Sequence, residues 1–190
     1  MIKFKVVRWK NLLSTGNQFT EVFLDNRKAT LILGENGSGK STMLDAVCFS
    51  LFNKPFRKIS KAQLINSINN KKMVVEIEFR IGQKEFKVIR GVKPSVFEVY
   101  CDGQMLDQDA AVRDTQKYLE DSILKMNFKS FTQIVILGSA SFTPFMQLPT
   151  ASRREIIEDI LDIEIFTTMN QVLREKISFL RDEIRDVETE

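Results

Sequence analysis

The feature that most constrains this chain is the octapeptide Gly34-Glu35-Asn36-Gly37-Ser38-Gly39-Lys40-Ser41, a full match to the phosphate-loop pattern GxxxxGK[ST]. Average residue usage makes a chance match in a chain this long rare, on the order of a percent. Its flanks narrow the choice further. An apolar run at 29–33 (ATLIL) enters the loop. From Lys40 the sequence KSTMLDAVCFSLF is apolar nearly all round a 3.6-residue helix, with Met43, Val47 and Leu51 on one line and Leu44 and Cys48 on another. Such a helix is buried, so the loop must lie where a strand hands over to a core helix. That arrangement turns backbone N–H groups and the positive helix end toward an anion. Gly34, Asn36, Gly37, Ser38, Gly39 and Lys40 are expected to cradle the phosphates of a nucleotide, assisted by Thr42. Lys40, the expected catalytic cation, would reach the β- and γ-phosphates, and the Ser41 hydroxyl would ligate Mg²⁺.

The remaining composition excludes other chemistries. The chain has 190 residues and no His, so no Ser-His-Asp triad, HExxH zinc site or His-mediated proton transfer can be built from it. Cys48 and Cys101 are far apart and too few for a disulfide framework or a four-ligand zinc site. With 28% charged residues and no apolar run approaching the ~20 residues of a membrane span, no membrane partner is expected. The segment after Met1 alternates basic and apolar residues, unlike a signal peptide, which makes a cytoplasmic location the expectation.

Periodicity predicts an α/β fold. Residues 2–8, 19–24 and 29–33 read as three strands, and 74–80, 85–90 and 95–100 as a β-meander with turn residues at each break. Residues 107–124 read as an amphipathic helix; 131–137 fit a strand or a helix end equally well. A first domain over 1–150 is expected to give way to a long helix over 151–190, with Thr150 as its N-cap. In that helix Met169, Leu173, Ile177, Leu180, Ile184 and Val187 settle into 4-3 spacing among charged residues, the pattern of a coiled coil that looks cut or resumed elsewhere. The competing reading is a terminal helix packed on the domain.

Charge is distributed unevenly. Residues 151–190 hold six Lys/Arg and eleven Asp/Glu, which leaves 22 basic and 14 acidic side chains for 1–150. Within 53–72 there are six basic residues and no acidic one. Lys54, Arg57, Lys58, Lys61, Lys71 and Lys72 are therefore candidates for sequence-independent contact with a DNA phosphate backbone, against the alternative of a solvated surface.

A phosphate loop binds nucleotide but hydrolyses it only with a carboxylate at the end of a second apolar strand and a group that positions water. No convincing carboxylate of that kind is present. Asp25 and Asp45 fall just before or after the loop, and Asp159 and Asp162 lie in the long helix. An NKxD guanine-reading motif is also missing.

The basic-apolar first strand, the Lys10-Asn11 turn, the GENGSGKST loop and the LDAVCFSLF helix together resemble the SMC-like ABC ATPases of DNA double-strand-break repair, of the SbcC type. The resemblance extends through 131–145, similar to the family's Q-loop segment, and through 153–166, similar to its entry into the coiled coil. It implies the N-terminal lobe of a P-loop ABC-type ATPase head, with an antiparallel β-meander, ending in the start of an antiparallel coiled coil. ATP and Mg²⁺ are then the implied cofactors. The implied partners are a C-terminal lobe carrying the signature motif and Walker B, a second head in a homodimer closed by ATP, a nuclease subunit, and double-stranded DNA. The helix face with Ile156, Ile157, Ile160 and Phe166 is a candidate dock for the nuclease or simply packs on the head. The family's CxxC zinc hook is absent from this sequence.

Two positions depart from the family pattern. Leu13 stands where members often carry an Arg or Lys near the nucleotide, and the Q-loop glutamine that helps hold Mg²⁺ falls at Ser139, with Gln133 six residues earlier. Ser139 is then a metal-site candidate or a turn residue. The alternatives to an ATPase that controls DNA end processing are another P-loop NTPase, such as a small-molecule kinase or GTPase, a transporter-type ABC subunit, and an ATP-binding coiled-coil scaffold without turnover.

Overall fold

The computed structural model describes residues 2–27, 29–106, 112–136, 143–161 and 163–189, which divide into two compact units, 1–142 and 143–190. The first is organised by β1 (Ile2–Lys10), β2 (Thr20–Phe23), β3 (Met73–Ile81), β4 (Lys84–Val92), β5 (Val96–Cys101) and β6 (Gln104–Met105). They form one sheet in the order β2-β1-β3-β4-β5-β6, antiparallel at every pairing. Strict alternation in β3 sorts its faces. Met73, Val75, Ile77 and Phe79 are fully buried, while Glu76, Glu78 and Arg80 point the other way. On the polar face Arg8 bridges Glu21 and Glu78, and Lys87 reaches Glu76 at 3.0 Å. The two-residue turn Asp102-Gly103 has φ of +50° and +81°, the conformation a tight hairpin demands and the reason glycine follows aspartate there.

The apolar helix after the loop is α1 (Thr42–Phe52), buried from Asp45 onward as its all-round hydrophobicity requires. It packs against β1, β3 and β4 and stops at Asn53, whose left-handed backbone returns its N–H to the Phe49 carbonyl. Beyond the sheet come α2 (Val112–Tyr118), a π-helical turn at Leu119–Leu124 and α3 (Phe128–Ile134). Phe131 of α3 closes the core, 5.1 Å from Phe52 and 6.0 Å from Phe4 between ring centroids. Asn127 caps α3, its Oδ1 accepting the Lys129 and Ser130 amides, which decides the ambiguous segment in favour of helix as far as Ile134.

A buried cation fastens the far end of α1. Arg90 is 3% exposed, donates Nε to the Ser50 carbonyl at 3.0 Å and Nη2 to Gln116 Oε1 at 2.6 Å, and lies 3.8 Å over the Phe97 ring. Gln116 in turn donates to the Leu51 carbonyl. Burial lowers the Arg90 pKa to about 9, with Glu120 opposing, so the guanidinium remains charged at neutral pH at the negative end of the helix.

Two expectations need correction. Residues 29–33 form no strand: Leu31 and Leu33 are each 80% exposed, and the segment makes no backbone pairing among the described residues. Strand propensity is realised only against a neighbouring strand, and none of the six lies beside it. The long helix is interrupted. In the second unit α4 (Thr150–Leu161) begins at Thr150 itself, with the Pro149 carbonyl accepting the Arg153 amide, and α5 (Glu164–Thr189) starts afresh after Ile163. Along α5 Met169, Leu173, Ile177, Leu180 and Ile184 are all exposed. The first part of the helix expected over 107–124, residues 107–111, lies outside the described residues.

Cys48, wholly buried in α1, has its thiol pushed up to about 12 by desolvation and, secondarily, by Asp45. Ellman's titration of the native chain at pH 8 is expected to show one fast thiol, Cys101, and a second only on unfolding. The unfolded thiol ionises above about pH 9 whereas the folded one waits until about 12, so this group erodes stability as pH rises through that window.

Candidate functional site

The phosphate loop is set by the start of α1. Thr42 is buried with its amide on the Gly39 carbonyl at 2.9 Å, and the Ser41 carbonyl accepts the Leu44 and Asp45 amides. Gly37 and Gly39 have φ of +89° and +95°, open only to glycine without strain, and a Cβ on Gly34 would stand 2.5 Å from Ser38 Oγ. Lys40 folds back over the loop, donating Nζ to the carbonyls of Gly34 at 2.6 Å and Glu35 at 2.7 Å. An anion entering the loop would compete for the same ammonium.

The loop forms one wall of a cavity of about 540 Å³, lined by Asn36, Gly37, Gly39, Lys40, Ser41 and Thr42 and, opposite in sequence, by Leu13, Ser14, Arg57, Gln63, Ile65 and Ser67. No carboxylate lines it among the described residues. The second wall is welded by asparagines. Asn11, in a left-handed conformation, donates to Asn17 Oδ1 and the Lys72 carbonyl and accepts from Asn69; Asn66 donates to the Leu13 and Thr15 carbonyls and accepts the amides of Ile68 and Asn69. Sequence reading missed Asn66 and Asn69, whose signal was only an unusual run of asparagines between a basic stretch and a strand.

Arg57 belongs to the cavity. Its Nε donates to Asp45 Oδ2 at 2.7 Å, its Nη2 lies 2.5 Å from the same oxygen, and its amide donates to Oδ1 at 3.1 Å. Asp45 is fully buried, while the Arg57 side chain is 41% exposed. The other basic candidates do not line the cavity. Lys54 lies over the Phe128 ring at 5.7 Å, and Lys61 donates to Asn53 Oδ1 and lies 5.6 Å from the Phe49 ring, its pKa lowered by burial and by Arg90. Lys58, Lys71 and Lys72 are exposed. Ser139 and Asp162 lie outside the described residues. Gln133 sits in α3 with its Oε1 buried and without a hydrogen-bond partner among the described residues. Asp25 pairs with Lys3 at 3.7 Å, and Asp159 lies in α4. Neither Asp25 nor Asp45 lines the cavity.

A magnesium triphosphate fits this donor set: a helix N-terminus, glycines at positive φ, one ammonium, one guanidinium and the Ser41 and Thr42 hydroxyls. Comparison with known proteins agrees in class. A family model described as an AAA domain matches residues 7–189, and the chain belongs to this AAA-domain family. Exonuclease subunit 2 of Escherichia phage RB69 is 42% identical over 95% of this chain, and that of Enterobacteria phage T4 is 43% identical over 90%. The DNA double-strand break repair Rad50 ATPase of Thermoplasma acidophilum is 27% identical over 96%. The resemblance to SbcC-type repair ATPases, and more narrowly to the large subunit of a T-even phage recombination nuclease, is thus confirmed. The chain spans 32%, 30% and 20% of these relatives' lengths. Among solved structures, the Smc head domain of Pyrococcus furiosus, bound there to the C-terminal domain of ScpA, aligns with a TM-score of 0.63 at 22% identity, over 99% of this chain and 49% of the other. A chain from a study of ATP-driven dimerisation of SMC ATPases aligns with a TM-score of 0.56 at 21% identity, over 83% and 99%. These bear out the α/β head fold.

The Asp45–Arg57 pair gives an asymmetric expectation. Arg57→Ala strands a fully buried carboxylate and should cost about 3–5 kcal/mol, whereas Asp45→Ala leaves an arginine that can turn to water and should cost less, about 1–3 kcal/mol. Urea unfolding of the two variants checks the order.

Proposed function

We propose that this chain is the ATP-binding half of an SMC-like ATPase head that, with a nuclease partner, processes DNA double-strand ends through ATP-driven head dimerisation. The observation that carries this reading is the unpaired segment 29–33. Three large apolar residues, Leu31, Ile32 and Leu33, run exposed into the phosphate loop, where propensity and hydrophobicity both favour a strand in a sheet. A complementary lobe that supplies neighbouring strands would bury them and bring a hydrolytic carboxylate to a cavity whose described lining has none. The exposed stripe on α5 supports a coiled-coil partner in the same way.

In this reading the backbone amides of the loop and the start of α1 bind the phosphates. Lys40 exchanges the Gly34 and Glu35 carbonyls for phosphate oxygens, and Ser41 holds Mg²⁺. When bound, Mg²⁺ supplies neutralisation of the charge between the outer phosphates. Arg57, oriented by Asp45, adds a second positive group to the wall. Ser139 is the proposed second metal ligand, in the place of the Q-loop glutamine. The exposed Lys54, Lys58, Lys61, Lys71 and Lys72 remain the proposed DNA contacts, through phosphates only. Residues 1–150 would be the lobe and 151–190 the start of the coiled coil, whose Ile157, Ile160 and Phe166 are exposed for a partner while Ile156 is buried.

The test is Mg²⁺-dependent ATP turnover by the 190-residue chain alone, then with the complementary lobe and nuclease, with and without linear duplex DNA. Turnover is expected only in the completed head, to rise with DNA, and to vanish with Lys40→Ala while the circular dichroism spectrum persists. Robust turnover by the chain alone overturns the split-head reading.

A further inference from the structure

A small residue after asparagine leaves its backbone nitrogen room to attack the asparagine side chain and close a succinimide ring. Asparagine precedes a small residue at Asn36-Gly37 and Asn66-Ser67, and aspartate precedes glycine at Asp102-Gly103. The structure separates these sites. Asn66 is 6% exposed, donates Nδ2 to the Leu13 and Thr15 carbonyls at 2.9 and 3.1 Å, and accepts the Ile68 and Asn69 amides on Oδ1. Asp102 accepts the Glu85 amide on Oδ1 at 2.8 Å, and its own amide donates to the Glu85 carbonyl. To rotate into a ring, either side chain must first break those bonds.

Asn36 differs. It is exposed in the phosphate loop, and neither its side-chain amide nor the Gly37 N–H has a hydrogen-bond partner among the described residues. The Ser38 amide donates to the Glu35 carbonyl at 3.2 Å, which makes Asn36 and Gly37 the central residues of a turn. Gly37 has a φ of +89°, close to what the second central residue of a type II turn adopts. Apart from its chain neighbours, no heavy atom lies within 4 Å of where a Gly37 Cβ would stand, so a ring has room to form.

We infer that Asn36 is a site of spontaneous deamidation, open in the empty loop and closed by bound nucleotide. The Gly37 nitrogen bonds to Asn36 Cγ, the Cγ–Nδ2 bond breaks, and Nδ2 leaves as ammonia with the proton that the Gly37 nitrogen gives up. Water then opens the succinimide at either carbonyl and leaves aspartate or isoaspartate, in both cases a carboxylate where an amide stood. The consequence rests on the nucleotide-binding reading above: the new charge faces the phosphates that the loop is built to hold, and like charges repel. A bound triphosphate acts in the opposite sense. It engages the loop amides, Gly37 among them, and the nitrogen that would attack is then occupied as a donor. An unloaded chain thereby loses its phosphate site with age, and a loaded one keeps it.

The experiment is peptide mass mapping of the full chain aged at mildly alkaline pH, in buffer, in Mg²⁺-ATP and in urea, with isoaspartate read by enzymatic methyl transfer. In buffer Asn36 should convert at least about tenfold faster than Asn66, which must open locally first, and Asp102 should form no isoaspartate. Urea removes the protection of the fold and should accelerate Asn66 at least about tenfold more than Asn36. Mg²⁺-ATP at about 100 times its dissociation constant should slow Asn36 at least about tenfold. The deamidated fraction, separated by ion exchange, and Asn36→Asp with an unchanged circular dichroism spectrum should each bind ATP at least about tenfold more weakly than the unaltered chain. Equal acceleration of Asn36 and Asn66 in urea, an Asn36 rate untouched by saturating nucleotide, or undiminished affinity after conversion each overturns this inference and leaves the nucleotide-binding reading standing. Absence of ATP binding to the unconverted chain overturns the nucleotide-binding reading instead, and with it the protection by nucleotide, while conversion of Asn36 is still read by mass.

Discussion

The burial of α1 against the antiparallel sheet is the constraint on which the rest depends. An eleven-residue helix that is apolar on nearly every side has one stable location, and that location fixes where its first turn points. The loop that precedes it inherits the position. Arg90 and Gln116 hold the last turn through the Ser50 and Leu51 carbonyls, and Asp45 in the first turn recruits Arg57 into the cavity wall. Both ends of the helix are thus tied by hydrogen bonds to a charged group, and the phosphate loop stands on a rigid base with its glycines at the angles anion binding needs.

The same cavity is incomplete as a catalyst, and the surface explains why. It holds cations and hydroxyls for an anion but no carboxylate among its described lining, and the apolar segment that enters the loop pairs with no strand among the described residues. Burying Leu31, Ile32 and Leu33 in a completed sheet would add roughly 1.5–3 kcal/mol for each. That gain would favour assembly and coordinate the loop with the partner that completes it. The relatives, of which this chain spans a third or less, are long enough to contain such a partner.

Much of this was legible beforehand because the strongest signals are local. The GxxxxGK[ST] loop, the all-round apolar helix and the alternating meander each depend on residues close in sequence, and each formed where it was expected. What failed depends on distant partners. Residues 29–33 have the composition of a strand but lack a neighbour, and Arg57 read as part of a basic run until the buried Asp45 twelve positions earlier claimed it. The asparagine weld of the second wall joins residues more than fifty positions apart, which no period reveals. The interruption after Leu161 was hidden because neither Gly nor Pro marks it.

Hydrogen exchange at residues 30–33 tests the central claim most directly, because it reads the pairing of the segment itself. In the chain alone these amides are predicted to exchange at nearly the rate of an unstructured peptide, and to become protected when the complementary lobe is added, before any nucleotide is present. Strong protection in the chain alone, or none after the lobe binds, would contradict the account of a phosphate loop carried on a strand that awaits its sheet.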